Sequence, residues 1–308
     1  MQELVQSLKD NISKKFIGKE EIVHNIVVAL LAGGHVLIED VPGVGKTTLA
    51  KAVAGSVDAT FARIQFTPDT LPTDITGTSV FDAAASEFKI VKGPVHNQII
   101  LADEINRTSP RTQAALLEAM EEHQVTIDGT TFDLPELFMV IATENPSEHL
   151  GTYQLPEAEL DRFMMKLKIG YPSKSKQTML AKNYLEGVLE QDLEPVLTPE
   201  QVVEMKQEVQ KVIIKDSLIE YALKIVDDTR SLSELEYGLS PRAGLVLLSA
   251  ARANAYIKGR DFVIPEDIIE MADATLPHRL VLTSKAYMER YTGEQLITKV
   301  IDKIKLPE

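Results

Sequence analysis

Apolar positions in the first half of the chain alternate between two periods. From Lys19 to Ala32 they recur at Ile22, Ile26, Ala29 and Leu30, the spacing of one helix face. His35-Val36-Leu37-Ile38 follows as a short apolar run that predicts a buried strand. After a Gly/Pro turn, Thr47 to Ala54 returns to the helical period. Ile99-Ile100-Leu101-Ala102 predicts another strand, Thr112 to Glu122 a helix, and Phe138-Met139-Val140-Ile141-Ala142 a third strand. Short apolar strands separated by helices predict an α/β fold with a parallel sheet covered on both faces.

Two segments interrupt the alternation. Ser79 to Val91 mixes polar and apolar positions around a tip of small residues. Gln124 to Leu134 predicts a hairpin, with Val125 and Ile127 before an Asp128-Gly129 turn and Phe132 and Leu134 after it. Beyond Tyr171-Pro172-Ser173 the pattern is helical almost throughout. Leu218, Tyr221, Ala222, Ile225 and Val226 form one amphipathic stripe. Ser240-Pro241 supplies an N-cap and a first-turn proline for a helix that runs to Gly259, and Ile264-Pro265-Glu266-Asp267 opens another. The expected division is an α/β domain over 1–172 and a smaller all-α domain over 173–308.

Composition narrows the functions. The 308 residues carry 32 basic and 46 acidic side chains, a net charge of −14. That balance argues against a surface built to grip nucleic acid or anionic lipid. The absence of cysteine excludes disulfides, thiolate nucleophiles and Cys-ligated metals. The most apolar stretch, Ile26 to Ile38, is too short to span a bilayer and is broken by two glycines and a histidine. The expectation is a soluble cytoplasmic protein with no nucleic-acid partner and no direct membrane insertion.

The chemistry concentrates at strand ends. Asp40-Val41-Pro42-Gly43-Val44-Gly45-Lys46-Thr47 lies between a predicted strand and a predicted helix, the context of a phosphate-binding loop. Gly43 and Gly45 let backbone N–H groups turn toward phosphates, and the helix adds its positive end. Lys46 would reach the β and γ phosphates, and Thr47 would ligate Mg²⁺. Pro42, Val44 and Thr48 complete the expected nucleotide-binding segment. Asp40 stands where the strict pattern has glycine. The strand ending Asp103-Glu104 supplies one carboxylate for the Mg²⁺ shell and one to take a proton from water. A third strand ends Thr143-Glu144-Asn145, and Asn145 could hold the water or the γ-phosphate. Arg162 and Arg242 have the side chain that stabilises a transferring phosphoryl group, although either alone reads as a surface ion-pair partner.

These features together resemble the AAA+ ATPases, and within them the MoxR family. The matching stretches include IGKEE, VLIEDVPGVGKTTLA, LPTDITGTSVF, KGPVHNQIILADEINRTSPRTQAALLEAMEEHQVT, VIATENP, LPEAELDRFMM, GLSPRA and LPHRLVL, in the family's order from Ile17 to Leu282. The resemblance implies an αβα P-loop core with a helical lid, an insert in the second core helix and a hairpin before sensor 1. It implies Walker A at Gly43, Gly45, Lys46 and Thr47, and Walker B at Asp103 and Glu104. It makes Asn145 sensor 1, Arg162 an arginine finger directed at a neighbouring subunit, and Arg242 sensor 2 on the lid. Ile17 and Gly18 fall at the adenine pocket, and Arg107 and Arg111 near a subunit boundary. It further implies ATP and Mg²⁺ as ligands, a homo-oligomeric, hexameric ring, and a von Willebrand factor A domain protein as partner. The activity implied is chaperone-like remodelling, assembly or metal insertion. A DNA-dependent motor and a non-hydrolysing nucleotide switch are the rivals. The acidic charge disfavours the first; Glu104, Asn145 and Arg162 together disfavour the second.

Overall fold

The computed structural model describes residues 2–41, 43–146, 152–188 and 191–307. The chain opens with α1 (Gln2–Lys15), which buries Val5, Leu8 and Ile12 on one face, and α2 (Glu20–Ala32), which ends at a left-handed Gly33. Then follow β1 (Val36–Glu39), α3 (Lys46–Ser56), β2 (Phe61–Gln65), β3 (Ile99–Asp103), α4 (Pro110–Glu122), β4 (Met139–Glu144) and β5 (Met165–Leu167). Among the described residues these strands form one sheet in the order β2-β3-β4-β1-β5, with every neighbouring pair parallel. Because β3, β4 and β1 are adjacent, the loops leaving their C-terminal ends converge, which is where open α/β sheets bind ligands.

Strand alternation divides the core in two. Val36, Ile38, Ile99, Leu101, Met139 and Ile141 point to one face and pack with α1, α2 and α3. Leu37, Ile100, Ala102, Val140 and Ala142 point to the other, where Leu116 and Leu117 of α4 and the buried Phe163 cover them. Thus α3 and α4 lie on opposite faces.

After β5 come α5 (Lys174–Leu185), α6 (Pro199–Lys211), α7 (Asp216–Thr229), α8 (Pro241–Ile257), α9 (Pro265–Thr275) and α10 (Gly293–Ile301). α5 buries no residue, whereas the later helices join the cluster that covers α2 and α3. The buried face of α8 is mostly small (Ala243, Gly244, Ala250, Ala251), which lets α2 and α9 approach closely. The region expected to form an all-α domain also contains a short antiparallel ladder, Leu235–Tyr237 against Val281–Leu282. Among the described residues no helix is long and apolar enough to cross a membrane.

Both interruptions are hairpins. Gly77–Asp82 pairs with Glu87–Lys92, slightly beyond the expected limits. At its neck the backbones nearly touch: a Cβ on Gly77 would lie 2.3 Å from Val91 O, and one on Gly93 2.2 Å from Ile75 O. Toward the tip, Phe81 and Phe88 meet edge to face at 5.2 Å and remain 54% and 73% exposed. The second hairpin pairs Gln124–Ile127 with Thr130–Asp133 through Asp128 and Gly129, both at positive φ as a tight two-residue turn requires.

Candidate active site

The loop from Asp40 to Gly45 crosses from the end of β1 to the start of α3. Gly45 caps α3 at φ +95°, a left-handed conformation that other residues adopt at a cost. The Phe16 ring lies beside it, 3.4 Å from where a Cβ would stand, so the Ile17-Gly18 segment begins next to the loop. Lys46 directs its ammonium at the carbonyl oxygens of Asp40 and, at 3.3 Å, Glu144. Burial lowers its pKa, while Asp40, Asp103, Glu104 and Glu144 pull it back up. A half-buried ammonium held by carbonyls, beside a Gly43 with open space where a side chain would be, suits a bound phosphate chain. Thr47 and Thr48 also line a cleft of about 550 Å³ with Lys15 and Lys51. Val44 packs on the core cluster. Pro42 lies outside the described residues.

Asp40 explains itself in three dimensions. Its buried carboxylate accepts the Val41 N–H at 2.7 Å and the Gly170 N–H, tying the loop to the chain leaving β5. Glycine there could hold neither.

The two acids at the end of β3 are organised by Thr143 of β4. Its hydroxyl donates to Asp103 Oδ1 at 2.6 Å and accepts the Glu104 N–H at 2.9 Å. Glu104 sits at φ +59°. Its Oε2 accepts from Gln65 of β2 at 2.9 Å and from Arg107 at 3.0 Å. Asp103 Oδ2 meets Arg63 at 2.6 Å. The Thr47 hydroxyl and Asp103 carboxylate are oxygen donors of the kind Mg²⁺ takes. Asn145 is buried at the end of β4. Next to it, Lys166 of β5 bridges Glu39 at 2.9 Å and Glu144 at 3.1 Å. Burial works against the Lys166 charge, but Glu144 and Glu39 outweigh it and its pKa is raised.

The arginines stand elsewhere. Arg162 and Arg242 both pair with Glu121, at 3.2 and 2.9 Å. Glu121 lies in the last turn of α4, and the preceding carbonyl, Met120 O, is 3.2 Å from His35 Nε2. His35 precedes β1, whereas the phosphate loop follows it. The four residues of β1 span about 13 Å, so Glu121 and both arginines occupy the opposite edge of the sheet from Lys46. Arg242, the expected sensor 2, therefore stands across the sheet from the chain's own phosphate loop.

Comparison with known proteins follows the same outline. The family model described as "ATPase family associated with various cellular activities (AAA)" matches residues 35–165, and that for the "AAA lid domain" matches 227–300. The chaperone MoxR1 of Mycobacterium tuberculosis is 40% identical, covering 96% of this chain and 81% of that protein. The chain belongs to the MoxR family of AAA+ ATPases. Another relative, the uncharacterised protein YeaC of Bacillus subtilis, is 47% identical over 97% of this chain and 93% of its own. A Cytophaga hutchinsonii protein of known crystal structure superposes on this MoxR chain with a TM-score of 0.93 at 36% identity, covering 100% of this chain and 96% of that one.

Within this MoxR chain, the structure gathers Gly43, Gly45, Lys46, Thr47, Asp103, Glu104 and Asn145 at one edge of the sheet, and Arg162 with Arg242 at the other. Arg107 pairs with Glu104, while Arg111 is exposed on α4. Arg63, Gln65, Thr143, Lys166 and Glu121 were not singled out in the sequence. Thr143 and Glu144 lay in a quoted strand end, but their partners are set by strand register.

Proposed function

We propose that this MoxR chain is a Mg²⁺-dependent ATP hydrolase whose sites are completed between neighbouring subunits of a ring, a hexamer by family expectation. The observation that carries the reading is the separation of Arg162 and Arg242 from the phosphate loop within one chain. Side chains on opposite edges of a sheet cannot meet at one phosphate, but a ring brings one edge to the next subunit's other edge. Lys46 and the loop N–H groups hold the triphosphate. Asn145 orients water, and Glu104 takes its proton as the water oxygen attacks the γ-phosphorus and ADP leaves. Thr47 and Asp103 would hold Mg²⁺, which would supply positive charge to the phosphate oxygens. Ile17 and Gly18 lie toward the adenine. Arg162 and Arg242 come from the neighbour, so both arginines act in trans.

Turnover would move the helical part, residues 173–308, against the nucleotide-binding part about a hinge near Pro172. The Gly77–Lys92 hairpin would meet a protein client through its exposed aromatic pair. The output proposed is remodelling, assembly or activation of a protein partner in the cytoplasm, of which metal insertion is one form. A von Willebrand factor A domain protein is the partner class that the resemblance implies. The test is ATP turnover measured against protein concentration, with mass followed by light scattering. Specific activity should rise as the ring forms. Arg162→Ala should bind ATP almost normally and lose about 10³-fold or more in turnover. An Arg162→Ala protein that hydrolyses ATP at the normal rate would exclude the shared site.

A further inference from the structure

The turn that carries Arg162 is gripped from the helical part of the chain by a single side chain. Arg279 is only 9% exposed. Its Nε donates to Asp161 Oδ1 at 2.7 Å. One Nη2 spans Arg162, donating to Asp161 O at 3.0 Å and to Phe163 O at 2.9 Å. Nη1 donates to Thr275 O, at the end of α9, at 2.7 Å. Ser240, immediately before α8, approaches the other Asp161 oxygen at 3.4 Å. The residues on both sides of Arg162 are thus fastened to α8 and α9, and the Arg162 side chain projects between them toward Glu121.

We propose that Arg279, through Asp161, is a positioning residue for Arg162, so that Arg162 moves with the helical part of its own subunit. The proposal rests on the reading that Arg162 serves a neighbour's site. Its physical basis is the guanidinium fork. One planar group satisfies a carboxylate and three carbonyls in fixed directions, which a lysine ammonium on a flexible stem cannot do. A finger whose base is held this way reports the position of α8 and α9 directly to the next nucleotide.

The test uses the full-length chain with Arg279→Lys. Turnover should fall by about 10²-fold, the scale for misplacing a catalytic group by roughly 1 Å. ATP affinity should stay within about twofold, because the chain's own phosphate loop is untouched. The deciding readout is complementation. Arg279→Lys chains are mixed with Glu104→Gln chains, which carry an intact Arg162 but a disabled site. Arg162→Ala chains are mixed with Glu104→Gln chains in parallel. Recovery of turnover in both mixtures supports the proposal, since a local defect in the Arg279→Lys chain's own site would not be repaired by a neighbour. Recovery with Arg162→Ala but not with Arg279→Lys overturns the role of Arg279 and leaves the shared site standing. Normal turnover by Arg279→Lys alone overturns it equally. No recovery in either mixture overturns the shared site and the proposal with it. If Arg279→Lys does not fold, Asp161→Asn removes the same charge pairing and is put through the same mixtures, with the same outcomes deciding.

Discussion

His35 makes the stability of this fold sensitive to mild acid. The imidazole is enclosed between the start of β1 and the end of α4. Nδ1 accepts the Val140 N–H at 3.0 Å, and Nε2 lies 3.2 Å from Met120 O. Those partners require the neutral ring with its proton on Nε2. Burial pushes the pKa down to about 4 from 6.5; the Met120 hydrogen bond opposes this, and His123 and Lys206 add repulsion. The unfolded chain therefore takes up this proton as pH falls through 6.5, while the folded chain resists until about 4. Stability is complete above pH 6.5, declines below it and levels off below pH 4. From these two pKa values, the loss between pH 7.5 and pH 4.5 is about 2.5 kcal/mol. Urea denaturation at stepped pH measures it, with His35→Gln as the reference because an amide can donate and accept but does not titrate. Burial lowers the pKa of His24, His96 and His278 as well, so the total acid loss exceeds this share. The stability gap between wild type and His35→Gln isolates it and should shift by about 2.5 kcal/mol. A gap that stays constant across this pH range would refute the argument.

Substitutions at two positions test the nucleotide edge. Glu104→Gln should retain ATP affinity and hold the loaded assembly together while losing turnover; rapid hydrolysis would remove Glu104 from its role, and nucleotide retention with light scattering reads both. Asp40→Ala leaves the Gly170 N–H without its acceptor and should cost about 1–3 kcal/mol in denaturant unfolding, with Asp40→Asn losing less because one acceptor oxygen remains.

Apolar runs made β1, β3 and β4 legible, because strands buried on both faces leave few polar residues. β2 lies at the sheet's edge, where Arg63 and Gln65 interrupt the run, and β5 has three residues, so neither announced itself. α1 was missed although Val5, Leu8 and Ile12 have helical spacing. α5 buries nothing and had no stripe to find. The phosphate loop and the acids were readable because their chemistry is local in sequence. The surroundings that tune them are not: Gln65 reaches Glu104 across 39 positions, and Arg279 reaches Asp161 across 118. Such pairs follow from strand register and helix docking, which one chain's pattern does not encode locally. Arg242 shows the same limit, since its motif was clear but its position at the Glu121 edge required the packing of α8.

The glycine neck at 77 and 93 separates two kinds of selection. Side chains at the neck are forbidden by backbone contact, so the base of the hairpin is fixed. Residues toward the tip, Phe81 and Phe88 among them, are largely exposed, so changing them disturbs little of the core. If the hairpin meets a client as proposed, recognition can diversify there by substitution or changes in loop length, while the rest of the fold stays constant. On that proposal, exchanging the segment between the two glycines among relatives should transfer preference for a client without redesign of the rest, and an unchanged preference would refute it.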